Sequence, residues 1–145
     1  MKKKTKLLLI IIIFLSTITT TFAQENFYEK GKKKYNENKL EDAKFLFQRS
    51  IVFNPKKAKS YLYLAKIYNF EKNQKELEKN INTALLLDPK NEEAVFMLIE
   101  IDLKKSNYSE VKRSLEIFSK VCKNLCEKKK TILDSLKNLE PKNET

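Results

Sequence analysis

Two cysteines are the side chains in this sequence that most directly suggest chemistry. Cys122 and Cys126 are the only cysteines among 145 residues, and the chain has no histidine. Without histidine there is no imidazole for acid–base catalysis or metal ligation, and two thiolates are too few for a tetrahedral zinc site. The C-x-x-C-H signature of haem attachment is also missing, and redox-active pairs have C-x-x-C spacing. We therefore expect neither a metal nor a cofactor.

Two interpretations of the cysteine pair stay open. In an oxidising compartment, a Cys122–Cys126 disulfide would staple the junction between two helical elements. Alternatively, Cys122 continues the apolar stripe of Val111, Leu115 and Phe118 and is simply a small buried residue. The compartment favours the disulfide, whereas the i, i+4 spacing would strain it.

The carboxylates do not form a catalytic pair in this sequence. Glu100 and Asp102 are two residues apart, so on a helix they point to different faces. A single glycine excludes a glycine-rich phosphate loop. With only three prolines as well, the chain is expected to have few tight turns and no hairpins. These features predict a protein that is not an enzyme.

The N-terminus has the regions of a secretory signal peptide. Four lysines within the first six residues precede nine consecutive apolar residues, Leu7 to Leu15, and Thr21-Phe22-Ala23 supplies a cleavage site. We expect residues 1–23 to be removed after Ala23 and the protein to be exported to the periplasm or cell envelope of a bacterium. An uncleaved anchor is the alternative, although residues 7–23 are shorter and more polar than a span of about 20 apolar residues.

Amphipathic helices must position these residues, and residues 58–91 show them most clearly. A first apolar stripe follows i, i+3, i+4 and i+7 spacing: Tyr61, Leu64, Ala65 and Tyr68. A second stripe follows i, i+4, i+7 and i+8 spacing: Leu77, Ile81, Ala84 and Leu85. Asn73 with Glu76 predicts a cap at the start of the second helix, and Pro89 predicts its end.

This unit resembles a tetratricopeptide repeat (TPR), a helix–turn–helix of 34 residues. The previous proline agrees with that period, since Pro55 and Pro89 are 89 − 55 = 34 positions apart. The resemblance implies an all-α fold, a right-handed α-solenoid of three TPR-like repeats plus a C-terminal capping helix. We expect the repeats at about residues 24–57, 58–91 and 92–125 and the capping helix at about 126–139. The polar tail, 140–145, is predicted to be disordered.

The outer repeats follow the same register less closely. Gly31 occupies the small-residue position of Ala65, because 65 − 31 = 34. Two further caps are predicted, Asn38 with Glu41 and Asn107 with Glu110. The remaining positions of the helical stripes predict the core: Ala43, Phe47, Ser50 and Ile51 in the first repeat, Val95, Leu98, Ile99, Val111, Leu115 and Phe118 in the third, and Ile132, Leu133, Leu136 and Leu139 in the capping helix.

The resemblance also implies a binding surface, because the first helix of each TPR lines a groove that holds an extended peptide or a partner's helix. The predicted groove residues lie beside the packed stripes: Tyr28, Lys32, Tyr35, Lys59, Leu62, Tyr63, Lys66, Asn69, Phe70, Phe96, Met97 and Glu100. Aromatic rings among lysines suit a peptide with acidic and apolar side chains. The alternative is that the rings are core and the lysines a solvated face. One TPR subgroup clamps a C-terminal carboxylate with Asn and Lys, but Lys32 and Lys66 stand where that clamp has Asn.

The positive charge of the chain raises nucleic acid as a possible partner, but the distribution of the lysines argues against it. The net charge is +11, and without residues 1–23 it becomes (30 − 4) − 19 = +7. The lysines are scattered over every helix, and export separates the chain from most nucleic acid. A basic exterior also suits peripheral contact with anionic membranes. The sequence predicts an envelope adaptor or assembly factor that binds proteins and takes no small-molecule substrate; the alternative is a structural subunit that self-associates through exposed repeat ends.

Overall fold

A computed structural model describes residues 27–139, which form seven helices and no strand. The helices are α1 (27–36), α2 (Leu40–Phe53), α3 (Ala58–Phe70), α4 (Gln74–Leu87), α5 (Glu92–Lys104), α6 (Tyr108–Val121) and α7 (Lys128–Leu139). The predicted signal peptide and the predicted polar tail lie outside the described residues. Of the described helices, none combines the length and the apolar character that crossing a membrane requires.

The helices repeat with the period predicted from the two prolines. α2, α4 and α6 each have 14 residues and begin 74 − 40 = 34 and 108 − 74 = 34 positions apart. α3 and α5 each have 13 residues and begin 92 − 58 = 34 positions apart. The all-α fold of TPR-like helix pairs followed by a final helix is therefore confirmed.

The turn inside each helix pair passes through one residue with a left-handed backbone. These residues are Asn38, Lys72 and Ser106, with φ of 57°, 59° and 54°, and they are again one 34-residue period apart. The following N–H donates to the carbonyl five residues back in every case: Lys39 to Lys34, Asn73 to Tyr68 and Asn107 to Asp102, each at 2.9 Å. This is the Schellman ending of a helix, which usually has glycine at the left-handed position. Here all three of these turns form without glycine.

The three predicted caps have three different outcomes. Asn73 caps α4 as predicted, since its side-chain oxygen accepts from the backbone N–H of Glu76 at 3.3 Å. Asn107 occupies the N-cap position of α6 but makes no side-chain capping bond. The Asn38 prediction is wrong, because the N-cap of α2 is Lys39 and Asn38 is the left-handed residue before it.

Two compact units divide the chain, Met1–Tyr63 and Leu64–Thr145, and the boundary falls inside α3. In the first unit, fully buried Phe47 stacks on Tyr63 at a centroid distance of 4.8 Å and contacts Tyr28 at 5.9 Å. A Cβ on Gly31 would lie only 2.9 Å from the Phe47 ring, so the predicted small residue is required there. The buried hydroxyls of Ser50 and Ser60 are hydrogen-bonded at 2.9 Å.

The second unit has an aliphatic core that its last helix helps to form. One buried cluster joins α5, α6 and α7: Val95, Ile99, Val111, Leu115, Phe118, Ile132 and Leu136. The capping helix is confirmed by Ile132 and Leu136, whereas Leu133 points to solvent. A helix that covers the apolar face of the last pair is what a stacked array needs at its end.

Candidate functional site

The predicted groove residues of the first unit belong mainly to an aromatic cluster, which consists of Tyr28, Tyr35, Phe47 and Tyr63. Tyr35 and Tyr28 each meet Tyr63 edge-on, at 5.1 and 5.9 Å. Tyr28 is only 6% exposed, and its ring lies under the Lys57 ammonium at 4.4 Å. Assigning Tyr28 to an open groove is therefore wrong, because its ring is part of the hydrophobic core.

Other predicted groove residues of the first unit differ in exposure. Lys32 and Lys59 are exposed, as a binding surface requires. Leu62 is buried, so its groove assignment is also wrong. The reason is that α3 buries more than one face: Ser60 and Leu62 are buried together with Leu64, Ala65 and Ile67. A single apolar stripe underestimates the burial of a helix that buries residues on more than one side.

In the second unit, the predicted residues form a more open surface, which we call the α3–α5 face. It consists of the predicted residues Lys66, Asn69, Phe70, Phe96 and Glu100, together with Glu93, which the sequence did not predict. The Lys66 ammonium and the Glu93 carboxylate pair at 2.6 Å and link the two helices. Asn69 is exposed, and Phe70 is 71% exposed at the end of α3. Lys66, Asn69 and Phe70 are three and four residues apart, so they share one face of α3.

The α5 side of this face is mixed in character. Phe96 is half-buried against Phe118, with ring centroids 6.0 Å apart. Glu100 is on the exposed side, and partial burial of its carboxylate raises its pKa, against the influence of Lys104 and Lys128. Met97 is buried, so placing it in the groove is wrong. The α3–α5 face therefore offers one exposed ring, one half-buried ring and charges of both signs.

The two carboxylates considered for catalysis are separated as the helical spacing predicted. Glu100 is exposed, whereas Asp102, two residues on, is buried. Burial raises the pKa of Asp102, and the negative charge of Glu110 adds to that effect. Among residues 27–139, no group of three metal-ligating side chains comes together.

Cys122 and Cys126 form a disulfide across the loop between α6 and α7, with Cα atoms 5.2 Å apart. The i, i+4 spacing is accommodated because α6 ends at Val121 and Cys122 already has an extended backbone, with φ −62° and ψ 141°. Cys122 also packs against the aliphatic core of the second unit. In this structure Cys122 therefore forms the disulfide and also packs in the core, so the two interpretations are compatible.

A glutamate that the sequence did not single out holds the same loop. The Glu92 carboxylate accepts the backbone N–H groups of Lys123 at 2.5 Å, Asn124 at 3.0 Å and Leu125 at 3.3 Å. The Asn124 side-chain amide adds a further bond at 3.0 Å. These bonds, that of the Lys123 N–H most of all, hold the pKa of Glu92 below its usual value. The only signal in the sequence was that an acidic residue replaces Ala58 one period later, since 92 − 58 = 34.

No protein-family model and no curated protein sequence matches this chain. Several solved structures do match this chain. The TPR domain of Arabidopsis OM64 has a TM-score of 0.71 and 19% identity, over 82% of this chain and 98% of that domain. The first TPR of Spaghetti (RPAP3), bound to the HSP90 peptide SRMEEVD, has a TM-score of 0.70 and 18% identity, over 81% and 96%.

A third neighbour is bacterial. The Yersinia enterocolitica type III secretion chaperone SycD, in complex with a peptide of the translocator YopD, has a TM-score of 0.65 and 20% identity. That match covers 79% of this chain and 90% of SycD. At such identities the likeness shows the fold alone, and the fold is that of a TPR domain.

Proposed function

We propose that this protein is a non-catalytic protein–protein interaction module whose α3–α5 face binds an acidic and apolar peptide or helix of a partner. The observation that carries the proposal is Phe70. A phenylalanine 71% exposed at the end of a packed helix is unfavourable in water, and exposed aromatic rings are frequent anchors of interfaces. Because the helix already fixes the backbone of Phe70, binding requires little ordering of the backbone on this surface.

Lys66 provides the charge for an acidic partner. Its ammonium is held by Glu93 at 2.6 Å, and both side chains keep some contact with solvent. The Glu93 carboxylate is the more exposed partner, with 43% of its side chain accessible against 19% for Lys66. A partner carboxylate can therefore approach Lys66 from the Glu93 side, and repulsion from Glu93 favours partners that place their acidic groups beside Lys66 and away from Glu93.

Neighbours with the same fold support this proposal by analogy. The Spaghetti domain was solved with an HSP90 peptide and SycD with a YopD peptide. Both are TPR-like proteins with a peptide bound. The same fold can host different functions, so for this chain the argument depends on the residues of the α3–α5 face rather than on the likeness.

The cellular role that fits the sequence is an adaptor or assembly factor in the periplasm or cell envelope. This part of the proposal rests on the signal-peptide pattern of residues 1–23. Mass spectrometry of the protein from its native host tests it. We expect a mature N-terminus at Gln24, and a protein that retains Met1 would contradict cleavage.

Site-specific photo-crosslinking tests the binding face. A benzoylphenylalanine at position 70 should give adducts with a partner in envelope extract. The same group at position 86 is the matched control, because Leu86 is 81% exposed but lies on α4. The adduct should disappear when Lys66 is also changed to Ala. Equal adducts from positions 70 and 86 would contradict the assignment of the face.

Self-association is the second candidate function, and the exposed face of α2 favours it. Phe45, Val52 and Phe53 are 57%, 78% and 50% exposed, and Arg49 lies 5.7 Å from the Phe45 ring centroid. These four residues follow i, i+4, i+7 and i+8 spacing, which places them on one side of the helix. Light scattering at several concentrations would reveal dimers that Val52→Glu dissociates; a monomer at all concentrations rules this candidate out.

A further inference from the structure

The second unit contains a cleft of about 540 Å³ lined by three lysines and three apolar residues. Pro89 and Lys90 come from the turn between α4 and α5, Ile117, Lys120 and Val121 from the C-terminal half of α6, and Lys123 from the loop after it. None of these residues belongs to the α3–α5 face. No acidic residue lines the cleft.

The three ammonium groups of the cleft are not neutralised by the protein. Within residues 27–139, neither Lys90, Lys120 nor Lys123 forms an ion pair. Lysines elsewhere in the same unit do, as in Lys66 with Glu93 and Lys105 with Glu78. Three uncompensated positive charges around one concavity attract anionic groups and raise their local concentration.

The apolar part of the cleft lies between these charges. Ile117 and Val121 are one helical turn apart on α6, and Ile117 is 41% exposed. The repeat does not dictate this arrangement. Lys120 stands where the preceding repeat has Leu86, since 120 − 86 = 34, and Ile117 stands where it has Thr83. The combination of lysines and an exposed isoleucine is specific to the third repeat.

The position of Lys123 depends on the disulfide loop. Its backbone N–H donates to Glu92 at 2.5 Å, and the loop is closed by Cys122 and Cys126. The N–H groups of Lys123, Asn124 and Leu125 are all directed at Glu92. They are therefore not available to cradle a free phosphate, the usual role of consecutive loop N–H groups at phosphate sites. No aromatic ring lines the cleft for stacking on a base.

We infer that this cleft is a second interaction surface, which binds an acidic segment of a partner protein. An apolar side chain of that segment packs on Ile117 and Val121, while its carboxylates face Lys90, Lys120 and Lys123. The α3–α5 face and the cleft use different residues, so the protein can hold two partner segments at once. That property is what an adaptor requires, and it goes beyond the single binding face proposed above.

Fluorescence anisotropy tests this inference on the full mature chain. The probe is a fluorescein-labelled peptide of alternating glutamate and leucine. Lys120→Glu and Lys90→Glu should each weaken its binding by roughly tenfold, because each reverses a charge at the contact. The matched control is Lys75→Glu on α4, an exposed lysine outside the cleft with the same change in net charge, and it should leave the affinity within about twofold.

Two additional variants separate the cleft from the α3–α5 face. Ile117→Gln should weaken binding of the leucine peptide but not of a peptide of alternating glutamate and serine. In a Phe70→Ala background, which removes the anchor of the α3–α5 face, Lys120→Glu should still weaken binding of both peptides. Far-UV circular dichroism of every variant, with Lys120→Gln as a milder replacement, ensures that lost binding is not lost folding.

Three results would overturn the inference. The first is equal loss of affinity in Lys120→Glu and Lys75→Glu, which would indicate a net-charge effect. The second is loss in Phe70→Ala with none in Lys120→Glu, which would assign the peptide to the α3–α5 face. The third is lysine-dependent binding to phosphatidylglycerol vesicles without binding to the peptide, which would identify a membrane contact.

Discussion

The two units use the same repeat register to build different cores. In the first unit, buried Phe47 packs against Gly31, where even a Cβ would be too close. One period later the corresponding residues are Ile81 and Ala65, and two periods later they are Leu115 and Ile99. From the first repeat to the second, the residue on the second helix becomes smaller as its counterpart on the first becomes larger, whereas the third repeat has a large aliphatic residue at both positions. The first two repeats therefore fill this space with different side-chain pairs of similar combined volume, and the third repeat does not follow that compensation.

The two units also differ in whether equivalent buried positions are polar or apolar. Ser50 and Ser60 are buried and bond to each other in the first unit. One period later the same positions are Ala84 and Ala94, both buried. A hydrogen-bonded pair and an apolar pair thus occupy equivalent places. This agrees with the rule that burial tolerates either both polar partners or neither.

Truncation of the largest core side chain should have the largest effect. Phe47→Ala removes a fully buried ring and leaves Gly31 without a packing partner. We expect a loss of about 3–5 kcal/mol in the free energy of unfolding. Phe118→Ala is the counterpart in the second unit, where an equally buried ring packs among aliphatic residues. Urea titration followed by circular dichroism measures both, and a loss below about 1 kcal/mol for Phe47→Ala would contradict the role given to it.

Breaking the serine pair should have the next largest effect. Ser50→Ala leaves the Ser60 hydroxyl buried without its partner, which costs about 1–3 kcal/mol. The double variant Ser50→Ala/Ser60→Ala reproduces the alanines of the following repeat and should be close to wild type in stability. If the double variant loses as much free energy of unfolding as the two single variants together, the two repeats are not interchangeable at this position.

Filling the glycine position should have a smaller effect that can be rescued. Gly31→Ala places a methyl group against Phe47 and costs about 1–3 kcal/mol of overpacking, partly offset by about 1 kcal/mol of helix propensity. Phe47→Leu in addition restores the space and should recover stability, because the third repeat has leucine there. Thermal unfolding of the two single variants and the double variant gives the coupling directly. Additive effects would show that the two residues do not share volume.

The smallest expected effect concerns the loop clamp of the second unit, in which Glu92 occupies the position that Ala58 has one period earlier. The folded-state pKa of Glu92 is lowered, so the clamp stabilises the protein above the unfolded-state pKa of the carboxyl. That contribution is lost as the pH falls through the folded-state pKa. Glu92→Gln should lower the Tm at neutral pH and match wild type in strong acid. Glu116→Gln, exposed on α6, is the control, and an equal loss at both pH values would exclude linkage to this carboxyl.

The spacing of the apolar residues is sufficient to predict the helices, their pairing and the capping helix. A helix that buries one face has apolar residues every three or four positions, and that spacing can be seen in the sequence. It failed for Leu62 and Met97, because α3 and α5 bury residues on more than one side and the stripe records only one. The Glu92 clamp could not be predicted, since it joins residues 31 to 33 positions apart. Asn38 was assigned one position out of register, because a cap and a left-handed turn favour the same residue type.

The non-glycine turns have a consequence for how the array assembles. Lys72 and Ser106 adopt a left-handed backbone that costs roughly 1–2 kcal/mol for such residues. A single helical hairpin cut from this chain would carry that cost without neighbours to offset it. In a stacked array, the stability of each repeat includes interface terms shared with its neighbours, and these terms can offset such a local cost.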